Sequence, residues 1–140
     1  MVKKAGLKRV VLDTNVLASA LLFTGSSNRL VALWQTGVIE LLASGEIIQE
    51  YTRVFAYPKF KLDEEEALGL LREEVLPFIR PVKATKAPPV VLEDPSDDKF
   101  LACAVAGNAD AIVSGEKHLL DLGRYRGIAI LSIRDFLAGP

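Results

Sequence analysis

Apolar residues in this chain fall into two kinds of pattern. Short runs of Val, Ile and Leu occupy 9–12, 38–42, 111–113 and 128–131, and none alternates with polar residues. Such runs predict strands of a parallel sheet covered on both faces. A weaker run at 90–92 is flanked by prolines. Between the runs, apolar residues recur every three or four positions, which predicts helices at 16–23, 28–35, 46–55, 63–76, 97–106, 117–122 and 133–137. Ser26 or Ser27 suits the N-cap of the second helix and Ser44 that of the third, while Pro58 and Pro77 stop the third and fourth. Strands alternating with helices imply βαβ units in a three-layer α/β fold. In such sheets, sites form beyond the carboxyl ends of the strands.

Length and composition narrow the picture. The 140 residues suit one domain over 1–140, with no repeat or composition break to mark a second. Half of them are hydrophobic, a high share that leaves room for a buried contact between subunits. Cys103 stands alone in an apolar stretch and reads as a reduced core residue, pointing to a reducing compartment. Lys3, Lys4, Lys8 and Arg9 before an apolar run imitate a secretory leader, but Asp13 and Asn15 interrupt that run. No apolar stretch is long enough to span a bilayer, so a cytoplasmic location without a membrane partner is expected. The net charge of −1 neither suggests nor excludes a nucleic-acid partner.

The polar interruption in "VVLDTNVLASALL" carries the first candidate. Burying a carboxylate at a strand end is costly, so Asp13 either caps the next helix or serves chemistry. Glu116, after "AIVSG", holds the equivalent place beyond another strand, where the plain alternative is a solvated loop charge. In "EIIQEYTRVF", Glu50 lies at the edge of the stripe formed by Ile47, Ile48, Tyr51, Val54 and Phe55, whereas Glu46 and Arg53 point away. It either looks into a cleft or covers apolar surface. In "DPSDDKFLACAVA", Asp97 falls near the centre of the apolar stripe, Asp98 at its margin, and Lys99 outward. Asp97 also suits a capping box begun by Asp94.

Four carboxylates in one cleft repel one another unless protons or a cation neutralise them. Oxygen donors of this kind suit Mg²⁺ or Mn²⁺. His118 is the only histidine and there is no thiol pair, so a zinc site has no ligands to draw on. The residues alone therefore point to an acidic metal site at a sheet edge, serving phosphate chemistry.

"VVLDTNVLASALL", "IIQEYTRVF", "DPSDDKFLACAVAGNADAIVSGEKHLL" and "ILSIRDFL", in this order over nearly the whole chain, resemble the PIN domain family. The likeness is greatest to the branch of toxins from prokaryotic toxin–antitoxin pairs. The resemblance implies a three-layer fold with a five-stranded parallel sheet, and a metal-dependent endoribonuclease acting on single-stranded RNA. It matches the family's acids to Asp13, Glu50, Asp97 or Asp98, and Glu116, with Asp97 favoured because the helical phase agrees. Glu116 departs from the usual aspartate, and its extra methylene puts binding of a second metal in doubt. Asn15 and Ser114 match polar positions that orient the acids or a bound water. An antitoxin partner and a homodimer are expected on the same grounds, the dimer through the helix of Leu70 and Leu71.

Lys8, Arg53, Lys59, Lys61, Arg124 and Arg126 are candidate grips on an RNA backbone, and Tyr57, Phe60 and Tyr125 candidate stacking surfaces. Two other classes compete. One is an inactive interaction module whose partner fills the acidic cleft with an arginine. The other is a phosphotransferase with Asp13 as phosphate acceptor, which would want an aspartate where Asn15 stands. No glycine-rich nucleotide-binding motif is present.

Overall fold

Val10, Val11 and Leu12 in strand β1 (Lys8–Leu12) are each at most 1% exposed. Successive strand side chains point to opposite faces, so helices cover this strand on both sides. The computed structural model describes residues 8–23, 25–84 and 97–139. After β1 come α1 (Thr14–Leu22), α2 (Arg29–Gln35), β2 (Ile39–Ala43), α3 (Gly45–Phe55), α4 (Glu64–Glu74) and β3 (Ile79–Pro81). Then follow α5 (Asp98–Ala106), β4 (Ala111–Val113), α6 (Lys117–Leu122), β5 (Arg124–Tyr125), β6 (Ile128–Leu131) and α7 (Ile133–Ala138).

The sheet runs β3-β2-β1-β4-β6-β5. Five strands are mutually parallel, and β5 pairs antiparallel with β6. The α/β architecture with helices flanking a mostly parallel sheet matches the expectation, but the sheet has six strands rather than five. The expected strand at 90–92 lies outside the described residues, as does Asp94. A parallel strand that the sequence does not signal is β3. Its three residues, of which only Ile79 is partly buried, carry too little pattern to be seen in sequence. β5 has two residues and carries still less.

The chain moves outward from β1 to β2 and β3, then returns to the other side of β1 with β4. The strand order thus reverses between β1 and β4, the crevice where ligands of open α/β sheets bind. Leu12 is in register with Val113, so the residues just beyond them emerge side by side.

Helix starts follow local chemistry. Ser44 accepts from the Ile47 amide and opens α3, as its type and position predict. Asp63 and Glu66 form a reciprocal capping box on α4. The start of α2 differs from expectation. A 3-10 turn over Ser26–Asn28 precedes it, and Ser27 and Asn28 donate backward to the carbonyls of Ser19 and Ala20. These residues tie α2 to the end of α1 rather than capping it. Leu71 is buried and Leu70 is partly buried against the core.

Candidate functional site

Asp13 leaves the end of β1 and is 4% exposed. Its Oδ1 accepts from the Val16 amide at 2.8 Å, which makes it the N-cap of α1. Its Oδ2 accepts from the Ser114 hydroxyl at 2.5 Å and the Gly115 amide at 3.1 Å, both just beyond β4. The capping reading of Asp13 therefore holds for one oxygen, while the other is held by groups just beyond β4. Burial raises its pKa above the ordinary 3.8, the hydrogen bonds from Ser114, Val16 and Gly115 pull it back, and the nearby charge of Glu116 lifts it again.

Glu116 is partly buried, and its amide donates to Ser114 Oγ at 2.9 Å. Ser114 thus links the two strand ends, accepting from one acid's backbone and donating to the other's side chain. Asn15, expected to hydrogen-bond around Asp13, is exposed. Ser114 and Gly115 supply the side-on contacts expected of Asn15.

Glu50 projects from α3 toward the same end of β1. The Thr14 hydroxyl donates a short hydrogen bond to its Oε2. Oε1 lies 2.5 Å from the Lys99 ammonium and 3.7 Å from Arg53. Lys99 corrects the sequence reading. Its side chain is 14% exposed, not directed to solvent, because α3 packs on the flank of α5 that helical phase treats as outward. Beneath this layer the Tyr51 hydroxyl donates to the Leu12 carbonyl at 2.6 Å. Burial, then the charge of Asp13, then Cys103 and Glu50, hold that phenol well above its ordinary 10.0. Cys103 is buried, as expected of a core thiol, and burial pushes its pKa up to about 11.

Asp97 is buried at the N-cap position of α5, and Asp98, partly buried, opens its first turn. The capping box expected between Asp94 and Asp97 lies outside the described residues. Thr14, Lys99, Gly115 and Tyr51 were missed as site residues. Thr14 stood inside the opening motif, and a lysine next to two aspartates on an apolar helix was the available signal for Lys99.

The donor set is of the right kind for a hard divalent ion, since its atoms are carboxylate and hydroxyl oxygens. Its spacing is not. Among the described residues, no three acidic, cysteine or histidine side chains stand close enough to hold one cation. Asp13's oxygens face protein donors, and Glu50 already holds a cation of the protein's own.

The basic candidates divide by position. Lys8 begins β1 and Asp13 follows its end, roughly 16 Å away along the strand. Lys8, stacked over Phe136, and the β5–β6 turn with Arg126 lie at the opposite edge of the sheet. Arg53 contacts Glu50, and Lys59 lines a groove of about 410 Å³ with Asn15, Ser19, Phe23 and Phe60.

Fold and site together define an α/β domain with an acid-bearing crevice at the reversal of its strand order. The chain belongs to the PIN domain family, whose sequence profile matches residues 9–118. PIN domains are generally nucleases that bind nucleic acid and use divalent metals. Comparison with curated proteins gives no match. No helix among the described residues is long and apolar enough to cross a membrane.

Proposed function

We propose that this chain is an endoribonuclease that cleaves single-stranded RNA with Mg²⁺ or Mn²⁺, as the toxin of a toxin–antitoxin pair. The observation that carries the reading is the meeting of Asp13 with Ser114 and Glu116 where β1 and β4 end. A buried carboxylate whose charge is only partly compensated is a poor choice for stability and a good one for binding a cation. Asp13, Glu50, Asp97 or Asp98, and Glu116 are the acids that would hold the ion, once drawn closer together than the structure holds them. An ion held there would supply Lewis-acid chemistry for a phosphodiester.

The chain's own residues do the rest. Ser114 and Gly115 fix the orientation of Asp13, and Thr14 fixes Glu50. Tyr51 ties the end of β1, which carries Asp13, to α3, which carries Glu50. Arg53 and Lys59 supply positive charge beside the crevice for an RNA backbone. An antitoxin partner, a homodimer and a cytoplasmic location belong to the same proposal.

The test is Mn²⁺-dependent cleavage of a single-stranded RNA by the purified chain and by Asp13→Asn. Cleavage lost in the variant supports the reading, and equal cleavage by both rejects it. A second reading, an inactive interaction module, is favoured by one observation: Lys99 already neutralises Glu50 from within. Absence of Mn²⁺ binding at millimolar concentration, with no cleavage by either protein, decides for the module.

A further inference from the structure

We propose that the groove between α1 and the turn Pro58–Phe60 is a nucleotide subsite, where one base of single-stranded RNA stacks on Phe23 and its phosphate meets Lys59. The inference rests on the RNA reading above. The groove has a volume of about 410 Å³, within the range of small-ligand sites, and none of its lining residues is acidic. Asn15, Ser19 and Phe23 follow one another four residues apart along α1 and its C-cap, so they share one side of the helix. That row spans roughly 12 Å. It begins at Asn15, two residues past Asp13, so the groove starts beside the crevice.

Phe23 is 56% exposed, and among the described residues no aromatic ring or cation lies against it. Phe60 is already engaged: its ring centroid lies 5.9 Å from that of the buried Phe55 and 5.0 Å from the Lys59 ammonium. It forms the floor of the groove, and Phe23 is the ring left to stack on a base. Pro58 fixes the backbone at the start of the turn, and with it the place of Lys59 and Phe60. Among the described residues, Lys59 has no carboxylate partner, and the Asn15 amide and Ser19 hydroxyl make no hydrogen bond. An apolar protein segment laid here would bury these polar groups without partners. A nucleotide satisfies them together. Its base face meets the phenyl ring, its base edge or ribose hydroxyl meets the amide and hydroxyl, and its phosphate meets the ammonium.

The experiment is a fluorescence anisotropy titration of the full chain with labelled oligoadenylate, and with a ribose-phosphate strand of equal length that lacks bases. EDTA is present, so cleavage does not intervene. Phe23→Ala is expected to bind oligoadenylate roughly 5–100-fold more weakly than the wild type, at an unchanged salt slope. Phe23→Trp keeps a stacking face and is expected to bind as the wild type does. On the strand without bases, Phe23→Ala and the wild type are expected to bind alike. Phe23 lies outside the core, so both variants are expected to fold. Equal binding of oligoadenylate by Phe23→Ala and the wild type overturns this proposal in favour of an apolar segment of a partner protein, and leaves the nuclease reading standing. No binding by the wild type overturns this proposal, and overturns the nuclease reading only if Mn²⁺-dependent cleavage is also absent.

Discussion

The hydroxyl of Ser114 donates to Asp13 Oδ2 across 2.5 Å, although 101 residues of chain separate the two. The sheet brings them together: Leu12 is in register with Val113, and the Asp13 amide donates to the Val113 carbonyl at 3.1 Å. Ser114 is fully buried, so its hydroxyl has no water to fall back on. Replacing it with alanine removes a hydrogen bond to a charged group, at a cost of about 1.5–3 kcal/mol. Thermal unfolding of Ser114→Ala is expected to show that loss. RNA cleavage is expected to fall roughly 10–100-fold, as for other partners that orient a metal ligand.

Asp13 makes stability depend on pH in an unusual direction. Burial lifts its pKa above 3.8, so the folded protein holds a proton there that the unfolded chain has released. Between 3.8 and the raised folded value, stability therefore falls as pH rises, and the penalty is complete above that value. Asp13→Asn carries no such charge. Its stability relative to the wild type is expected to improve from pH 3.8 upward and then level off, while cleavage is lost. Parallel curves for the two proteins across this window, from denaturant titrations, would contradict the assignment.

Tyr51 is expected to matter through its hydrogen bond and not through ionisation. Tyr51→Phe leaves the buried Leu12 carbonyl without its donor and costs about 1–3 kcal/mol. Because the phenol is held well above 10.0, the wild-type protein is expected to show no titration of Tyr51 up to pH 10. Ultraviolet difference spectroscopy detects phenolate directly and checks both proteins.

Charge placement predicts which cations bind RNA. Lys59→Ala, at the groove beside Asn15, is expected to weaken binding to single-stranded RNA and lower the salt slope by about one. Arg126→Ala, in the turn at the far edge of the sheet, is expected to leave both unchanged. Filter binding at several salt concentrations separates the two. Equal losses would mean that the RNA path does not follow the acidic crevice.

Elements with several buried residues were legible in the sequence, and those without were not. β1, β4 and β6 carry aliphatic runs that need both faces covered, and all three lie where periodicity places them, within a residue. β2 is displaced by one residue, because Val38 is 51% exposed and its amide turns back to the Leu33 carbonyl. β3 and β5 exist through tertiary pairing alone. At the site, Asp13 was legible because a charge at the end of an apolar strand needs a reason. Lys99 was not. Helical phase identifies the side of a helix that faces the sheet, but it cannot tell whether the opposite flank meets water or another helix. Asn15 is exposed, and the contacts to Asp13 Oδ2 come from Ser114 and Gly115 beyond the neighbouring strand.

The strands that bound the sheet limit how this molecule can meet another. At one margin β3 is three residues long and closes on Pro81, which has no amide to offer a newcomer. At the other, β5 is two residues long and runs against its neighbour. Among the described residues, margins so blunted offer a poor template for a foreign strand to add itself. A partner of this chain is therefore expected to meet helices and loops rather than these two margins.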